Sequence, residues 1–192
     1  MNFLELVRKN RSYRRFYQDR QVPAADLELM VEAARLTPSS RNIQPLKYII
    51  CNDRKVNARI FETLAWAGYL ADWAGPAEGE RPAAYIVQLL DTAISATPSC
   101  DHGIAVQTLL LESVELGYGG CIIASVRHEL LSKILSIGPQ YKILHVVALG
   151  VPKEQVVIET VVDGQYKYWR DQDQTHHVPK RSLDEIILKN IS

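Results

Sequence analysis

The apolar residues along the chain recur at helical spacing in several segments. Positions three and four apart share one face of a helix, and this pattern predicts a short helix over residues 2–10. A second apolar stripe follows Pro23, and we expect its helix to end at Thr37, because the residue before Pro38 avoids helical geometry. Similar patterns predict helices over residues 54–66, 101–116 and 126–135.

Runs rich in apolar and β-branched residues predict the strands. They cover residues 46–51, 84–90, 121–124 and 142–151. Because these runs alternate with helices, the sequence predicts a mixed α/β class, and the spacing does not fix whether the sheet is parallel. Helix 101–116 is apolar over much of its surface, so we expect it to lie in the core or in an interface.

The end of the chain has a different composition. Residues 166–173 are polar and aromatic, and they lack the apolar density of an independent core. We interpret residues from about 160 to 192 as an arm that packs on the domain or on a second subunit. Residues 1–192 are therefore predicted to form a single domain.

Composition and charge exclude several classes of function. The 192 residues are 47% apolar, and 22 basic residues balance 22 acidic ones. No overall field therefore favours binding to nucleic acid or to a membrane surface. The longest apolar run is too short to span a bilayer, and the N-terminus lacks the regions of a signal peptide. Three widely spaced cysteines form no disulfide framework, so we expect a cytoplasmic protein.

The residue types that commonly carry catalysis form no familiar arrangement. The histidines have no carboxylate or thiol at ligand spacing, so we expect no metal site. The serines lack a Gly-x-Ser-x-Gly elbow, and neither a P-loop nor Gly-x-Gly-x-x-Gly is present. A cysteine nucleophile stays open, although no cysteine has a persuasive local signature.

Short basic and polar segments instead favour binding of an anion. Residues 11–15, Arg-Ser-Tyr-Arg-Arg, place three guanidinium groups within five positions, and guanidinium pairs well with phosphate. Lys180 and Arg181 form a second basic pair. Residues 39–45 supply hydroxyl and amide groups that can bond the edges of a polar heterocycle. Each segment alone is also compatible with a polar turn, which we favour for residues 11–15 taken by themselves.

Taken together, these segments resemble motifs of the nitroreductase family of FMN-dependent NAD(P)H oxidoreductases. Residues 11–16 resemble its Arg-Ser-x-Arg-x-Phe opening, and residues 38–45 resemble its Pro-Ser-x-x-Asn-x-Gln-Pro loop. Residues 101–111 are similar to its central helix, residues 116–121 to the glycine-rich turn that follows, and residues 180–186 to its basic C-terminal signature. The five matches occur in family order along nearly the whole chain.

The resemblance implies an α+β fold, with a central β-sheet flanked by helices and an extended C-terminal arm swapped within a homodimer. It also implies FMN sites at the dimer interface. One subunit would hold the phosphate, ribityl and pyrimidine side through Arg11, Ser12, Arg14, Lys180 and Arg181. The partner would contribute the loop that contains Pro38, Ser39, Ser40, Asn42 and Gln44. The ring would lie along Ile122, Ile123, Ala124 and Ser125, with a backbone N–H near Ala124 bonding the reactive flavin nitrogen.

In function, the resemblance implies that FMN passes electrons from NADH or NADPH to a nitroaromatic, a quinone or a related conjugated acceptor in two half-reactions. Such chemistry requires no catalytic acid or base from the protein. Tyr166, Tyr168 or Trp169 stacks near the open site, or these aromatics anchor the arm on the partner subunit, which we favour. Two alternatives remain: a flavin-binding relative with a specialised non-reductase or regulatory role, and an interaction protein whose apolar helix only dimerises.

Overall fold

The computed structural model describes residues 1–191, and it contains a β-sheet with helices on both faces and a second, smaller sheet. The helices are α1 Phe3–Lys9, α2 Ala24–Arg35, α3 Arg54–Phe61, α4 Asp101–Glu115, α5 His128–Leu135 and α6 Leu183–Ile186. The strands are β1 Leu46–Cys51, β2 Ala84–Asp91, β3 Gly119–Ile123, β4 Tyr141–Gly150, β5 Val156–Thr160, β6 Trp169–Arg170 and β7 His176–Lys180. None of the helices described is long and apolar enough to cross a membrane.

The larger sheet has the strand order β1-β2-β4-β3, and each neighbouring pair is antiparallel. All eight residues of the central strand β2 are buried. Ile86 packs in the cluster formed with α2 and α4 on one face. Tyr85 and Val87 pack on the opposite face with Ile60 of α3 and Leu131 of α5. Because successive side chains of a strand point to opposite faces, burial on both sides requires an almost continuous apolar run.

The predicted α+β fold class is confirmed, and most predicted elements lie within two residues of their observed bounds. The helix predicted over residues 54–66 is wrong beyond Phe61. There the chain leaves the helix so that Leu64 can pair with Val126 in an isolated β-bridge. The same bridge delays the start of α5 to His128.

The strand predicted over residues 121–124 is confirmed but begins two residues earlier and ends one residue earlier, because β3 covers Gly119–Ile123. Gly119 and Gly120, which belong to the glycine-rich turn after α4, form the start of this strand. A Cβ atom on Gly120 would lie 2.7 Å from the Ala148 carbonyl oxygen and 2.7 Å from Leu110 Cδ2. At Gly120 the backbone of β3 therefore packs too closely against β4 and α4 for a residue with a side chain to fit without a shift.

A small sheet, which the sequence did not predict, joins β5 to two strands of the C-terminal arm. Its strand order is β5-β7-β6, with β5 and β7 parallel and β6 and β7 antiparallel. Arg170 of β6 donates a hydrogen bond to Glu154 at 3.0 Å, so this part of the arm is fixed on its own domain. Beyond β7, apolar side chains are exposed, Leu188 and Ile191 at 97% and 81% of their surfaces. The swap of the arm within a dimer stays a prediction.

Candidate functional site

The basic segment that follows α1 lies along the edge strand β3. Ser12 pairs with Gly120 in an isolated parallel β-bridge. The Tyr13 N–H donates a hydrogen bond to the Gly120 carbonyl oxygen at 3.0 Å. The Arg11 guanidinium donates to the Val7 carbonyl oxygen at 2.9 Å, which ties this side chain to α1. These contacts fix the start of the segment beside the sheet.

A cavity of about 300 Å³ opens between this segment and strand β7. Predicted site residues line it from opposite ends of the chain, namely Arg11, Ser12, Arg14 and Lys180. Lys180 lines the cavity together with His176 and Val178 of the same strand. These three residues share one face of β7 because alternate residues of a strand point the same way.

A second cavity, of about 200 Å³, continues from the first, since Arg14, Ile122 and Tyr168 line both. The predicted ring-contacting residues form its wall, namely Ile122, Ile123, Ala124 and Ser125. The pairing between β3 and β4 ends at Ile123, so the next two residues lie beyond the ladder at the rim. We call the two cavities together the Arg14 groove.

Arg14 lies at the junction of the two cavities, and its guanidinium contacts neutral groups. Its Nη1 donates a hydrogen bond to the Ser12 carbonyl oxygen at 3.1 Å, and the same atom is 3.2 Å from His176 Nε2. The guanidinium carbon lies 5.0 Å from the centre of the Tyr168 ring, within the range of a cation–π contact. The positive charge of Arg14 is thereby held beside the groove wall without being neutralised by these three contacts.

The nearby carboxylate of Glu154 is engaged elsewhere. It accepts a hydrogen bond from the Arg14 backbone N–H, and its second oxygen accepts from Arg170 Nη2 at 3.0 Å. The Glu154 side chain is fully buried, and burial raises the pKa of its carboxyl group. Because Arg170 pairs with it, the carboxylate fixes the backbone of the basic segment and leaves the Arg14 guanidinium to the groove.

His176 is fully buried behind Arg14 and Tyr168. A guanidinium group can only donate hydrogen bonds, so His176 Nε2 must accept from Arg14, and the ring is then neutral with its proton on Nδ1. Burial, reinforced by the positive charges of Arg14 and Arg170, lowers the pKa of His176 to about 4. The neutral state is therefore the stable one near neutral pH.

The loop predicted to serve a partner's site does not line the Arg14 groove of its own chain. Pro38, Ser39 and Gln44 line a different cavity of about 390 Å³. The Ser39 hydroxyl donates to Asp101 Oδ2 at 2.5 Å and accepts from the Gln44 N–H at 2.9 Å. The Ser40 N–H donates to the other oxygen of Asp101 at 2.9 Å. Asp101, at the start of α4, thus fixes the loop.

The backbone of this loop is unusual as well as fixed. Arg41, Asn42 and Gln44 have φ angles of 53°, 57° and 54°, in the left-handed region that residues other than glycine seldom adopt. Gln44 Nε2 donates to Asn42 Oδ1 at 3.0 Å. These contacts hold a defined loop shape, and its contribution to a partner subunit's groove stays a prediction.

The structure does not bring Arg181 into the groove. Its side chain is exposed and pairs with Glu185 of α6, one turn further along the chain. Lys180 alone of the predicted C-terminal pair lines the groove within this chain, because neighbouring residues at the end of a strand point in opposite directions.

Several residues outside the predicted cofactor-binding set also line the groove, and three of them present polar side chains that bear on the site. Gln107 lies on the exposed face of α4, and it belongs to the segment 101–111 that resembles the central helix of the family. Tyr168 lines both cavities, as expected if the aromatic segment lies near the open site. His176 gave no usable signal, because its role depends on burial between segments that are far apart in sequence.

Comparison with known proteins identifies the family and relatives of similar fold. Residues 7–151 match the model of the Nitroreductase family. A protein of Archaeoglobus fulgidus, named as a candidate NADH dehydrogenase/NAD(P)H nitroreductase, is 29% identical over 160 residues, which are 79% of this chain and 86% of the relative. The crystal structure of a nitroreductase family protein from Clostridium novyi NT superimposes with a TM-score of 0.66 at 23% identity, over 80% of this chain and 88% of that one. A structure from Parabacteroides distasonis, whose protein carries the same candidate name, covers 98% of this chain and 97% of its own, with a TM-score of 0.67 and 24% identity.

Proposed function

Because the chain belongs to the nitroreductase family of oxidoreductases, we propose that it binds FMN in the Arg14 groove and passes electrons from NADH or NADPH to a small conjugated acceptor, such as a nitroaromatic or a quinone. One observation carries the proposal. Arg11, Ser12, Arg14 and Lys180, which come from opposite ends of the chain, line one groove with the segment 122–125.

The residues of the groove suit FMN in charge and in polarity. At one end, Arg11 and Lys180 supply positive charges and Ser12 a hydroxyl group, which together suit a phosphate. In the middle, Ile122 is 39% exposed and offers an apolar surface to a flat ring. At the other end, Ala124 follows the last paired residue of β3, so its backbone N–H can face the edge of the ring.

Bound FMN would supply the redox chemistry, taking hydride from the nicotinamide and returning two electrons to the acceptor. The chain's own residues would bind and orient the reactants. Arg14 supports this with a fixed positive charge beside the place where the pyrimidine side would lie. Cys121 also lines the groove, but it is buried, and burial raises the pKa of its thiol. It therefore stays a protonated wall residue and is no acid–base group for the reaction.

We further propose that the active unit is a homodimer in which loop 38–44 of one subunit completes the groove of the other. The exposed apolar side chains of the arm and of α1 support this arrangement, because such patches mark interaction surfaces. Phe3 and Leu4, on α1, are 67% and 64% exposed. Burying them against a second copy would remove apolar surface from water.

The visible spectrum of the purified protein tests the proposal directly. We expect a yellow protein, or a colourless one that binds added FMN, and anaerobic NADH or NADPH should bleach it. Addition of menadione or a nitroaromatic should then restore the colour. A protein that binds no FMN would refute the proposal. A yellow protein that neither nucleotide bleaches would instead indicate a specialised flavin-binding relative without reductase activity.

A mixing experiment tests the shared site. Arg11→Ala removes a phosphate contact from one subunit, and Asn42→Gly removes a loop side chain while keeping the left-handed backbone accessible. Each homodimer should bind FMN more weakly, and a mixture should regain intact sites in heterodimers. No recovery after proven subunit exchange would show that the loop serves its own chain or no site at all.

A further inference from the structure

His176 lies beside Arg14 in the groove and gives it an uncharged hydrogen-bond acceptor. Its ring is fully buried, and its Nε2 lies 3.2 Å from Arg14 Nη1. The centre of its ring is also 5.1 Å from the centre of the Tyr168 ring. The imidazole thus lies directly behind the guanidinium at the junction of the two cavities, where it limits the positions that the guanidinium can adopt.

The charges around this contact are distributed unevenly. The guanidinium of Arg14 contacts a backbone carbonyl, the imidazole and an aromatic ring, none of which carries a negative charge. The carboxylate of Glu154 accepts a hydrogen bond from the Arg14 backbone N–H and pairs with Arg170. Arg14 is therefore oriented by hydrogen bonds but keeps its positive charge.

We propose that His176 is a positioning residue, which directs the Arg14 guanidinium into the groove without adding a negative charge beside it. This inference rests on the proposed FMN site. A carboxylate in the same place would also orient Arg14, but it would cancel the charge. An apolar residue would preserve the charge but release the guanidinium. A buried imidazole, which stays neutral, does neither.

The positive charge has a defined effect on the cofactor. Reduction adds negative charge to the pyrimidine side of the ring, so a fixed cation nearby favours the reduced form, and it does so most strongly in a partly buried groove. His176 would therefore act through Arg14 on both the affinity for FMN and its reduction potential.

Imidazole spectra of the full-length, ¹⁵N-labelled protein test the contact itself, with and without added FMN. His176→Gln assigns the signal. We expect a neutral ring protonated on Nδ1 throughout the range around the ordinary histidine pKa of about 6.5, and we expect Arg14→Gln to shift it. A ring protonated on Nε2, or one that gains a proton near that pKa, would overturn the inference whether or not FMN binds.

Three variants test the effect on the cofactor. His176→Gln keeps a neutral acceptor and should bind FMN within about twofold of the wild type. His176→Leu removes the acceptor and should weaken FMN binding by about tenfold, the loss expected when a hydrogen bond to a charged group is removed. His176→Glu keeps an acceptor but adds a negative charge. The Leu and Glu variants should lower the reduction potential of bound FMN by about 30 mV for each tenfold loss of preference for the reduced form.

The outcomes distinguish the role of His176 from the binding of FMN itself. Wild-type affinity and potential in His176→Leu would overturn this inference alone, and a change only in melting temperature would reduce His176 to a structural residue. A wild-type protein that binds no FMN would refute the proposed function and the flavin effect together, while the imidazole spectra would still decide the Arg14–His176 contact.

Discussion

Replacing Gly120 by alanine should destabilise the strand that forms the wall of the Arg14 groove. The added Cβ would lie 2.7 Å from the Ala148 carbonyl oxygen and 2.7 Å from Leu110 Cδ2. The leucine can turn away, but the carbonyl oxygen belongs to the neighbouring strand and cannot move without lengthening the β3–β4 ladder. We therefore expect a loss of about 1–3 kcal/mol in the free energy of unfolding, the range for overpacked sites. Urea denaturation of both proteins measures this difference.

Gly103→Ala provides the matched control. Gly103 lies in α4, is exposed, and a Cβ there would meet nothing within 4 Å. Alanine should stabilise this helix by up to about 1 kcal/mol, because glycine costs more conformational entropy. A Gly120→Ala variant as stable as the wild type would refute the argument that close packing between β3 and β4 requires glycine.

Three other changes have directions set by the structure. The hydrogen bond from Arg15 lowers the pKa of Glu80 to about 2, so the stability from this pair should be lost as the pH falls from the ordinary glutamate pKa toward that value. Urea unfolding at several pH values should show that Glu80→Gln loses less stability in acid than the wild type. Asp171 raises the pKa of His177, so this contribution is complete below the ordinary histidine pKa and lost as the pH rises through the raised one; His177→Gln should remove that alkaline decline. Lys180→Ala should weaken FMN binding by roughly 1–3 kcal/mol, if a charged hydrogen bond to phosphate is lost, as measured by fluorescence titration.

The sequence predicted the main sheet well because its strands depend on local composition. The strand at residues 84–91 is buried on both faces, and so it is apolar at almost every position. The small sheet was not predicted, because residues 176–180 read His-His-Val-Pro-Lys, which lacks the composition of a strand. This strand forms through its pairing with Val156–Thr160 and through the contacts of His177 with carboxylates at 2.7 and 3.0 Å. Tertiary contacts therefore decide its structure.

The same distinction applies to the site. Arg11, Arg14 and Lys180 could be found because the spacing of basic residues is visible in one dimension. His176 could not, because an imidazole becomes a neutral acceptor only after burial next to a particular guanidinium. When a site is built from separate segments, the residue types in the sequence indicate which side chains could belong to it. Their roles depend on the packing that brings them together.

The distribution of ion pairs explains how a chain with no net charge can form a positively charged groove. Arg15 pairs with Glu80 at 2.5 Å, and Arg170 pairs with Glu154 at 3.0 Å, so these two guanidinium groups are neutralised by partners in the protein. Arg14, the residue before Arg15, lines the groove, and its guanidinium contacts neutral groups instead. Because Coulomb interactions weaken with distance and with exposure to water, an anionic ligand responds to the charges that line its own site more than to the total. The neutral composition therefore argues against general binding to polyanions. Because Arg15 and Arg170 are paired with carboxylates while Arg14 is not, the structure favours binding of a single anion in the Arg14 groove.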